Sequence, residues 1–211
     1  MSLSLFTRFP NPFLKGMRRV KNVGKVVYIT FDDGPTGDGT EQILEILDRY
    51  SVKATFFCCG KNAVEHPDVL KKISDAGHVV GYHSYSHLDI LKTKPSEWIA
   101  DVERKSAVSA MELFRPPYGR ILFRHYRKLK SKYRFVFWDV MSYDYDANRT
   151  PESIIELLGK SVRDGSVVVF HDNAKAKENT LAVLPRFIGM MREKGYSFET
   201  IGTGGQRPCK S

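Results

Sequence analysis

From residue 25 onward the chain alternates short runs of β-branched and aromatic residues with amphipathic segments of helical length, and this alternation restricts the fold more than any other feature. Residues 25–31 are rich in Val, Tyr and Ile and read as a first strand. Residues 41–50 set Ile43, Leu44, Ile46, Leu47 and Tyr50 on one helical stripe, with Thr40 as the expected N-cap. A second strand over 54–59 is followed by a helix over 67–76, which has Pro67 at its first position and Gly77 past its end, and by a third strand over 78–83. The pattern continues with a helix over 95–112, a short strand over 113–115, a basic helix over 120–130 and a fifth strand over 133–139. Thr150 caps a helix that opens at Pro151 and ends near Gly165. A sixth strand over 166–171, a helix over 181–194 that Pro185 can kink, and a seventh strand over 196–201 complete the series.

Seven strands separated by helices imply a parallel sheet, because parallel neighbours need a crossover. The residues best suited to chemistry fall at the C-terminal ends of strands one, three, four and six, or just after strand five. A barrel gathers its site at that one rim, whereas an open sheet recruits fewer strands at a switch point. The expected class is therefore α/β, an irregular seven-stranded (β/α) barrel in a single domain, which suits 211 residues. The barrel is expected over 25–203, with 1–24 as an N-terminal extension packing on it and 204–211 as a C-terminal tail.

Apolar residues at 42% and charged residues at 27% place the chain among globular proteins. A net charge of +9 favours acidic partners, but no nucleic-acid module accompanies it, so nucleic acid is not expected as a partner. The apolar residues near the N-terminus are interrupted by Arg8, Pro10, Pro12 and Lys15, so no signal-peptide core forms, and no run is long enough to span a bilayer. The default expectation is a cytoplasmic or peripheral location, with export left open. Oligomeric state leaves no mark on the sequence. Cys58, Cys59 and Cys209 are too few and too unevenly spaced for a disulfide framework, and neighbours on one strand point to opposite faces, so Cys58 and Cys59 do not suit a metal either.

Three segments carry chemistry. Thr30-Phe31-Asp32-Asp33-Gly34-Pro35 ends a strand on two carboxylates and a turn, so that one can bind a metal while its neighbour works as a base. Taken alone it could be an ordinary acidic turn. His83 and His87 are four residues apart, which on a helix or tight turn puts both imidazoles on one side, as metal ligands require. With Asp33 they make a two-histidine, one-carboxylate set that leaves coordination positions open. Such a set suits zinc, and also cobalt, nickel or ferrous iron. Residues 167–172 are a buried strand that delivers His171 to the same rim.

In combination these segments resemble the polysaccharide deacetylase family, carbohydrate esterase family 4. The resemblance runs from about Val26 to Ile201 and rests on the ordered set Thr-Phe-Asp-Asp-Gly-Pro, His-Ser-Tyr-Ser-His, Arg115-Pro116-Pro117-Tyr118-Gly119, the Asp144-Tyr145 pair after Trp138, and the strand ending in His171. It implies Asp32 as general base, and Asp33, His83 and His87 as ligands of one divalent ion, zinc first, with cobalt or nickel as alternatives. Arg115 would hold Asp32, and Asp144 would orient and charge-balance His171, the general acid. The backbone N–H of Tyr118 would donate to the oxyanion, Tyr145 and Val169 would line the acetyl pocket, and Pro117 and Trp138 would lie on the substrate side. The implied reaction removes N-acetyl, or O-acetyl, groups from a glycan such as an N-acetylglucosamine polymer. Three positions depart from the family pattern: Tyr82 where Asn is common, Met141-Ser142-Tyr143-Asp144-Tyr145 in place of Asp-x-x-Asp-Trp, and Val169 in place of Leu.

Other readings compete. The ligand set is also that of non-haem iron oxygenases, although an adjacent carboxylate and an acid-like histidine fit hydrolysis better. An amidohydrolase acting on a small non-polymeric amide would use the same parts. A sugar-binding module without activity would need neither Asp32 nor His171. The basic run Arg120, Arg124, Arg127, Lys128, Lys130, Lys132 and Arg134 reads first as a solvated face, with an anionic glycan or lipid head group as its functional alternative.

Overall fold

A computed structural model of the chain describes residues 5–6, 15–21 and 24–202. Its strands are β1 (Leu5–Phe6), β2 (Val26–Asp32), β3 (Thr55–Cys58), β4 (Val79–Tyr82), β5 (Leu113–Phe114), β6 (Ile121–Leu122), β7 (Arg134–Phe135), β8 (Val140–Met141), β9 (Val167–His171) and β10 (Ser197–Phe198). Its α-helices are α1 (Gly37–Arg49), α2 (Gly60–Glu65), α3 (Pro67–Asp75), α4 (Pro95–Glu103), α5 (Phe123–Leu129), α6 (Pro151–Ser161) and α7 (Lys177–Glu193), with a 3₁₀ turn over Pro117–Gly119. Seven parallel strands form the wall in the order β7-β5-β4-β3-β2-β9-β8, and β10 adds to the lower half of β2. This is the expected (β/α) barrel in irregular form. Among the described residues no ladder joins β7 to β8, and the chain passes directly from one to the other through 136–139.

That seam is covered from the N-terminal side. Met17 pairs with Val136 and Arg19 with Ser166, so residues 17–19 lie across the gap between β7 and the start of β9. The Met17 N–H donates to the Phe135 carbonyl at 2.9 Å, and the Val20 N–H donates to that of Gly165 at 2.9 Å. Gly16 is required there, since a Cβ would approach the Phe137 ring to 2.5 Å. Residues 1–4, 7–14, 22 and 23 of the segment assigned as an extension lie outside the described residues, and the backbone of Leu5–Phe6 pairs antiparallel with β6.

Strand β2 shows how the barrel is stabilised. All seven of its residues are buried, as a strand with helices outside and a packed barrel inside demands. Val27, Ile29 and Phe31 face outward into the helical layer, against Ile43 and Leu47 of α1 and Leu184 and Phe187 of α7. Val26 and Tyr28 face inward, where they meet Phe57, Leu113, Val136 and Val167. The inward row continues upward through Thr30 to Asp32, so the interior changes from apolar to polar as it nears the rim. Burying each large apolar side chain contributes roughly 1.5–3 kcal/mol, and this rigid apolar floor fixes the polar groups above it.

Several boundaries differ from the sequence reading, each for a physical reason. The fifth strand is two short ones, β7 and β8, because the chain bends at the seam. The helix expected over 95–112 stops at Glu103, and Ser106 and Ser109 then close a turn in which the Ser106 N–H donates to Ser109 Oγ at 3.0 Å. The basic helix begins three residues late, since Ile121 and Leu122 pair with β1. The cap of α1 is Thr36, not Thr40. Thr40 sits inside the first turn, and its hydroxyl accepts from the Thr36 N–H at 2.8 Å. The short helix α2 was not expected. Cys58 and Cys59 are both buried free thiols, and Cys209 lies outside the described residues. No helix among the described residues is long and apolar enough to cross a membrane.

Candidate active site and metal centre

The upper ends of β2, β4 and β9, with the turns after β5 and β8, surround a cleft of about 1010 Å3. Strand register brings its parts together: Asp32 stands beside His171 on one side and Phe57 on the other. Thus two segments 139 residues apart in sequence meet as adjacent rungs.

Asp33 leaves β2 with φ of 86°, which turns its carboxylate across the barrel mouth. His83 follows β4, and His87 completes a turn in which Ser84 and His87 also have positive φ, 66° and 57°. One ligand atom from each of Asp33, His83 and His87 lies within 4.8 Å of the others. Asp33 Oδ1 is 3.5 Å from His83 Nε2 and 3.2 Å from His87 Nε2. That same Oδ1 is buried and has no hydrogen-bond partner. A buried, orphaned carboxylate oxygen facing two imidazoles is costly unless a cation sits among them. His83 Nδ1 is 2.7 Å from the Arg115 carbonyl, to which it can only donate, and this leaves Nε2 with a lone pair toward the cluster. Burial outweighs the neighbouring carboxylates and lowers the His83 pKa to about 4, so the ring is neutral at pH 7. The donor set therefore fits a divalent cation.

Other side chains hold the ligands. Asn173 Nδ2 donates to Asp33 Oδ2 at 2.6 Å, and Asn62 Nδ2 to the Asp33 carbonyl at 2.7 Å. Despite burial, which pushes the other way, His83, His87, His171 and Asn173 keep the Asp33 pKa below its ordinary value. The histidine turn hangs from Asp101 on α4, whose carboxylate accepts from the N–H groups of Tyr85 at 3.2 Å and Ser86 at 3.1 Å. Asp172 anchors the turn after Asp33: Thr36 Oγ1 donates to its carbonyl at 2.6 Å and Thr40 Oγ1 to its carboxylate at 2.7 Å. A Cβ on Gly34 would overlap that carboxylate, so the turn passes only with glycine there.

Asp32 lies below the cluster. Arg115, fully buried, donates through NH1 to Asp32 Oδ1 at 2.6 Å and to Thr30 Oγ1 at 2.8 Å, and through NH2 to the Phe137 carbonyl at 2.9 Å. Its guanidinium also stacks 4.1 Å from the centre of the Phe57 ring. Breaking such a buried pair by removing one partner typically costs about 3–5 kcal/mol. Across the cleft, His171 Nδ1 donates to Asp144 Oδ1 at 2.7 Å, while Asp144 Oδ2 accepts from the His171 N–H at 2.7 Å and from Thr180 Oγ1 at 2.7 Å. Burial disfavours the imidazolium, but Asp144, with Asp33 and Asp32, raises the His171 pKa to about 9. A carboxylate beside a cation-ready cluster and a protonated histidine on the opposite wall can remove one proton and supply another.

The remaining expected residues divide. Tyr118, Trp138 and Tyr145 line the cleft. Tyr118 has φ of 57° and packs its ring 4.7 Å from that of His87, and the Tyr145 ring stands edge-on to His171 at 5.1 Å. Val169 is fully buried two residues below His171, and Pro117 is also buried; neither lines the open cleft. Of the departures from the family pattern, Tyr82 points away from the site and donates to the Val102 carbonyl at 3.1 Å, whereas Met141, Tyr143 and Tyr145 form part of the cleft wall. Sequence reasoning missed Asn62, Asn173, Asp101 and Asp172, which support the ligands and their turns, and Thr180, which supports Asp144. Only Asn173 and Asp172 carried a signal, their adjacency to His171.

Fold and site together fit a hydrolase that cleaves an acyl–nitrogen or acyl–oxygen bond, built on a (β/α) barrel around a two-histidine, one-aspartate set suited to a cation. Comparison with known proteins narrows the class. Residues 19–136 match the polysaccharide deacetylase family model. A peptidoglycan-N-acetylglucosamine deacetylase of Bacillus cereus is 32% identical over 83% of this chain and 66% of its own length. A second Bacillus cereus protein of the same description is 31% identical over 86% of this chain and 89% of its own length. The crystal structure of the Bc1960 peptidoglycan N-acetylglucosamine deacetylase superposes with a TM-score of 0.81 at 29% identity, over 88% of this chain and 90% of that one. The chain belongs to the polysaccharide deacetylase family and is a carbohydrate deacetylase. A small non-polymeric amide as substrate, the alternative drawn from the sequence, finds no support among these relatives.

Proposed function

We propose that the protein hydrolyses N-acetyl groups on an N-acetylglucosamine-containing polymer of the peptidoglycan type, with zinc held by Asp33, His83 and His87. The observation that carries this reading is the pairing, across one cleft, of Asp32 held by Arg115 with His171 held by Asp144, on either side of the cation-ready cluster. A divalent ion held by Asp33, His83 and His87 would supply Lewis acidity for the acetamide carbonyl and would make an attacking water easier to deprotonate. Asp32 takes the proton of that water as its oxygen attacks the carbonyl carbon. Arg115 keeps the Asp32 carboxylate oriented, and the Tyr118 N–H donates to the carbonyl oxygen as negative charge develops on it. His171 then gives its Nε2 proton to the sugar nitrogen, because an amine leaves poorly unless protonated, while Asp144 holds the ring through Nδ1. The products are acetate and a free amino sugar. The relatives named for peptidoglycan N-acetylglucosamine support the substrate class.

The test is acetate release from peptidoglycan fragments, chitooligosaccharides and acetylated xylan, with zinc, cobalt and nickel compared. Asp32→Asn is expected to retain the metal and lose about 10²–10⁴-fold in turnover, the range for a general base. His171→Ala is expected to slow the amide far more than an activated acetate ester, whose leaving group needs no proton. Equal slowing of both with metal retained would remove His171 as the acid.

A further inference from the structure

Most charges that line the cleft are matched at short range. Asp32 faces Arg115, His171 faces Asp144, Arg120 lies 3.3 Å from Asp89, and Asp139 lies 3.6 Å from Arg163. The single charge of Asp33 is more than offset once a divalent cation binds. Two cations in the lining remain, Arg18 and Lys175, and neither has a carboxylate partner among the described residues. They come from different parts of the fold: Lys175 from the loop after β9, Arg18 from the segment across the barrel seam.

Arg18 is fixed in place rather than trailing. The residues on both sides of it, Met17 and Arg19, are bridged to the barrel, and its guanidinium lies 4.8 Å from the centre of the Phe137 ring. Half-burial there lowers its pKa, the mark of a cation partly stripped of water. A partly desolvated guanidinium without a counterion, at the mouth of a substrate cleft, is set to receive an oxyanion from the substrate. The overall charge of +9 draws anions toward it.

We propose that Arg18 and Lys175 form an anion subsite of the cleft, so that the preferred substrate is an acetylated glycan carrying an oxyanion, a carboxylate or a phosphate ester, near the acetamide to be cleaved. This rests on the deacetylase reading, and it makes substrate choice depend on the seam segment, which lies outside the catalytic constellation.

Binding separates the two. The zinc-loaded protein is titrated calorimetrically with three probes: the neutral N-acetylglucosamine tetramer, a tetramer with lactyl carboxylates on alternate sugars, and a tetramer bearing phosphate esters. At low ionic strength at least one anionic probe binds about tenfold or more tighter than the neutral one, and the advantage shrinks as salt shortens the Debye length. Which anionic probe gains identifies the source of the oxyanion. Arg18→Gln removes roughly tenfold of the anionic affinity and leaves the neutral probe within about twofold, whereas Arg18→Lys keeps most of the preference. Lys175→Gln, at an exposed position, gives a smaller loss in the same direction and serves if Arg18→Gln folds poorly. Equal affinity of wild type for neutral and anionic probes overturns the proposal, as does an equal loss for both in Arg18→Gln. Acetate release from all three probes is scored separately: its absence from every one, with charge preference in binding intact, would fault the deacetylase reading and not the subsite.

Discussion

Of the six non-glycine residues with positive φ among the described ones, five lie at the rim: Asp33, Ser84, His87, Tyr118 and Tyr143. Each such residue costs on the order of 1–3 kcal/mol; Asn62, Asn173 and Asp172 hold the turn at Asp33, and Asp101 holds the turn from Ser84 to His87. The pair His171–Asp144 gives a pH prediction. The ring is raised in the folded protein to about 9 from its ordinary 6.5, so it keeps its proton through neutral pH and loses it as pH rises through that folded value. With His171 as the proposed acid, the rate is expected to fall on the alkaline side. Asp144→Asn removes the negative charge, and its falling limb is expected at lower pH, toward the unperturbed range, in a profile of kcat/KM against pH. The same shift stabilises the fold fully below about 6.5 and not at all well above 9. In the metal-free protein the melting temperature of Asp144→Asn should accordingly fall furthest behind wild type near pH 6, with the gap narrowing toward pH 10. A gap independent of pH would mean that Asp144 acts only through packing.

At the scale of elements, β4 links core packing to chemistry. Gly81 lies opposite Phe57, and a Cβ there would come within 2.7 Å of that ring and 3.2 Å of the Leu113 carbonyl. Phe57 in turn supports the Arg115 guanidinium, which holds Asp32. Gly81→Ala is expected to cost about 1–3 kcal/mol by overpacking and to lower kcat as well, read by denaturant midpoint and acetate release. As a contrast, Thr150 accepts from the Ser153 N–H at 3.3 Å and caps α6 away from the cleft. Thr150→Ala should cost about 1 kcal/mol with kcat unchanged. The cap at Thr150 was readable because the Thr-Pro signal is local. The cap at Thr36 was not, because Gly37 and Gly39 are poor helix formers and the turn is drawn into a helix by the Asp172 bonds. β6 and β8 escaped detection for the same kind of reason: two-residue strands exist only through their partners.

For the molecule as a whole, the cation proposed at Asp33, His83 and His87 would tie stability to function. Chelation should abolish acetate release and lower the melting temperature, because on the proposed reading the ion binds the folded cluster and not the unfolded chain. Restoring zinc to about 100 times its Kd should return about 2.7 kcal/mol. His83→Ala should lose both effects, and a metal-dependent rise in melting temperature that survives in this variant would place the ion elsewhere.

The strand–helix alternation and its rim placement of Asp32, Asp33, His83, His87 and His171 were legible in the chain itself, because hydrophobic periodicity and short motifs are local properties. Reading them as one barrel and one site needed only the rule that parallel strands end at a common rim. What the tertiary structure alone decided is longer-range. It turned the Asp33 carboxylate toward both histidines, stacked Arg115 between Asp32 and Phe57, opened the barrel between β7 and β8, and laid Arg18 across that gap. These depend on register and packing between residues up to 147 positions apart, and no window of sequence contains both partners.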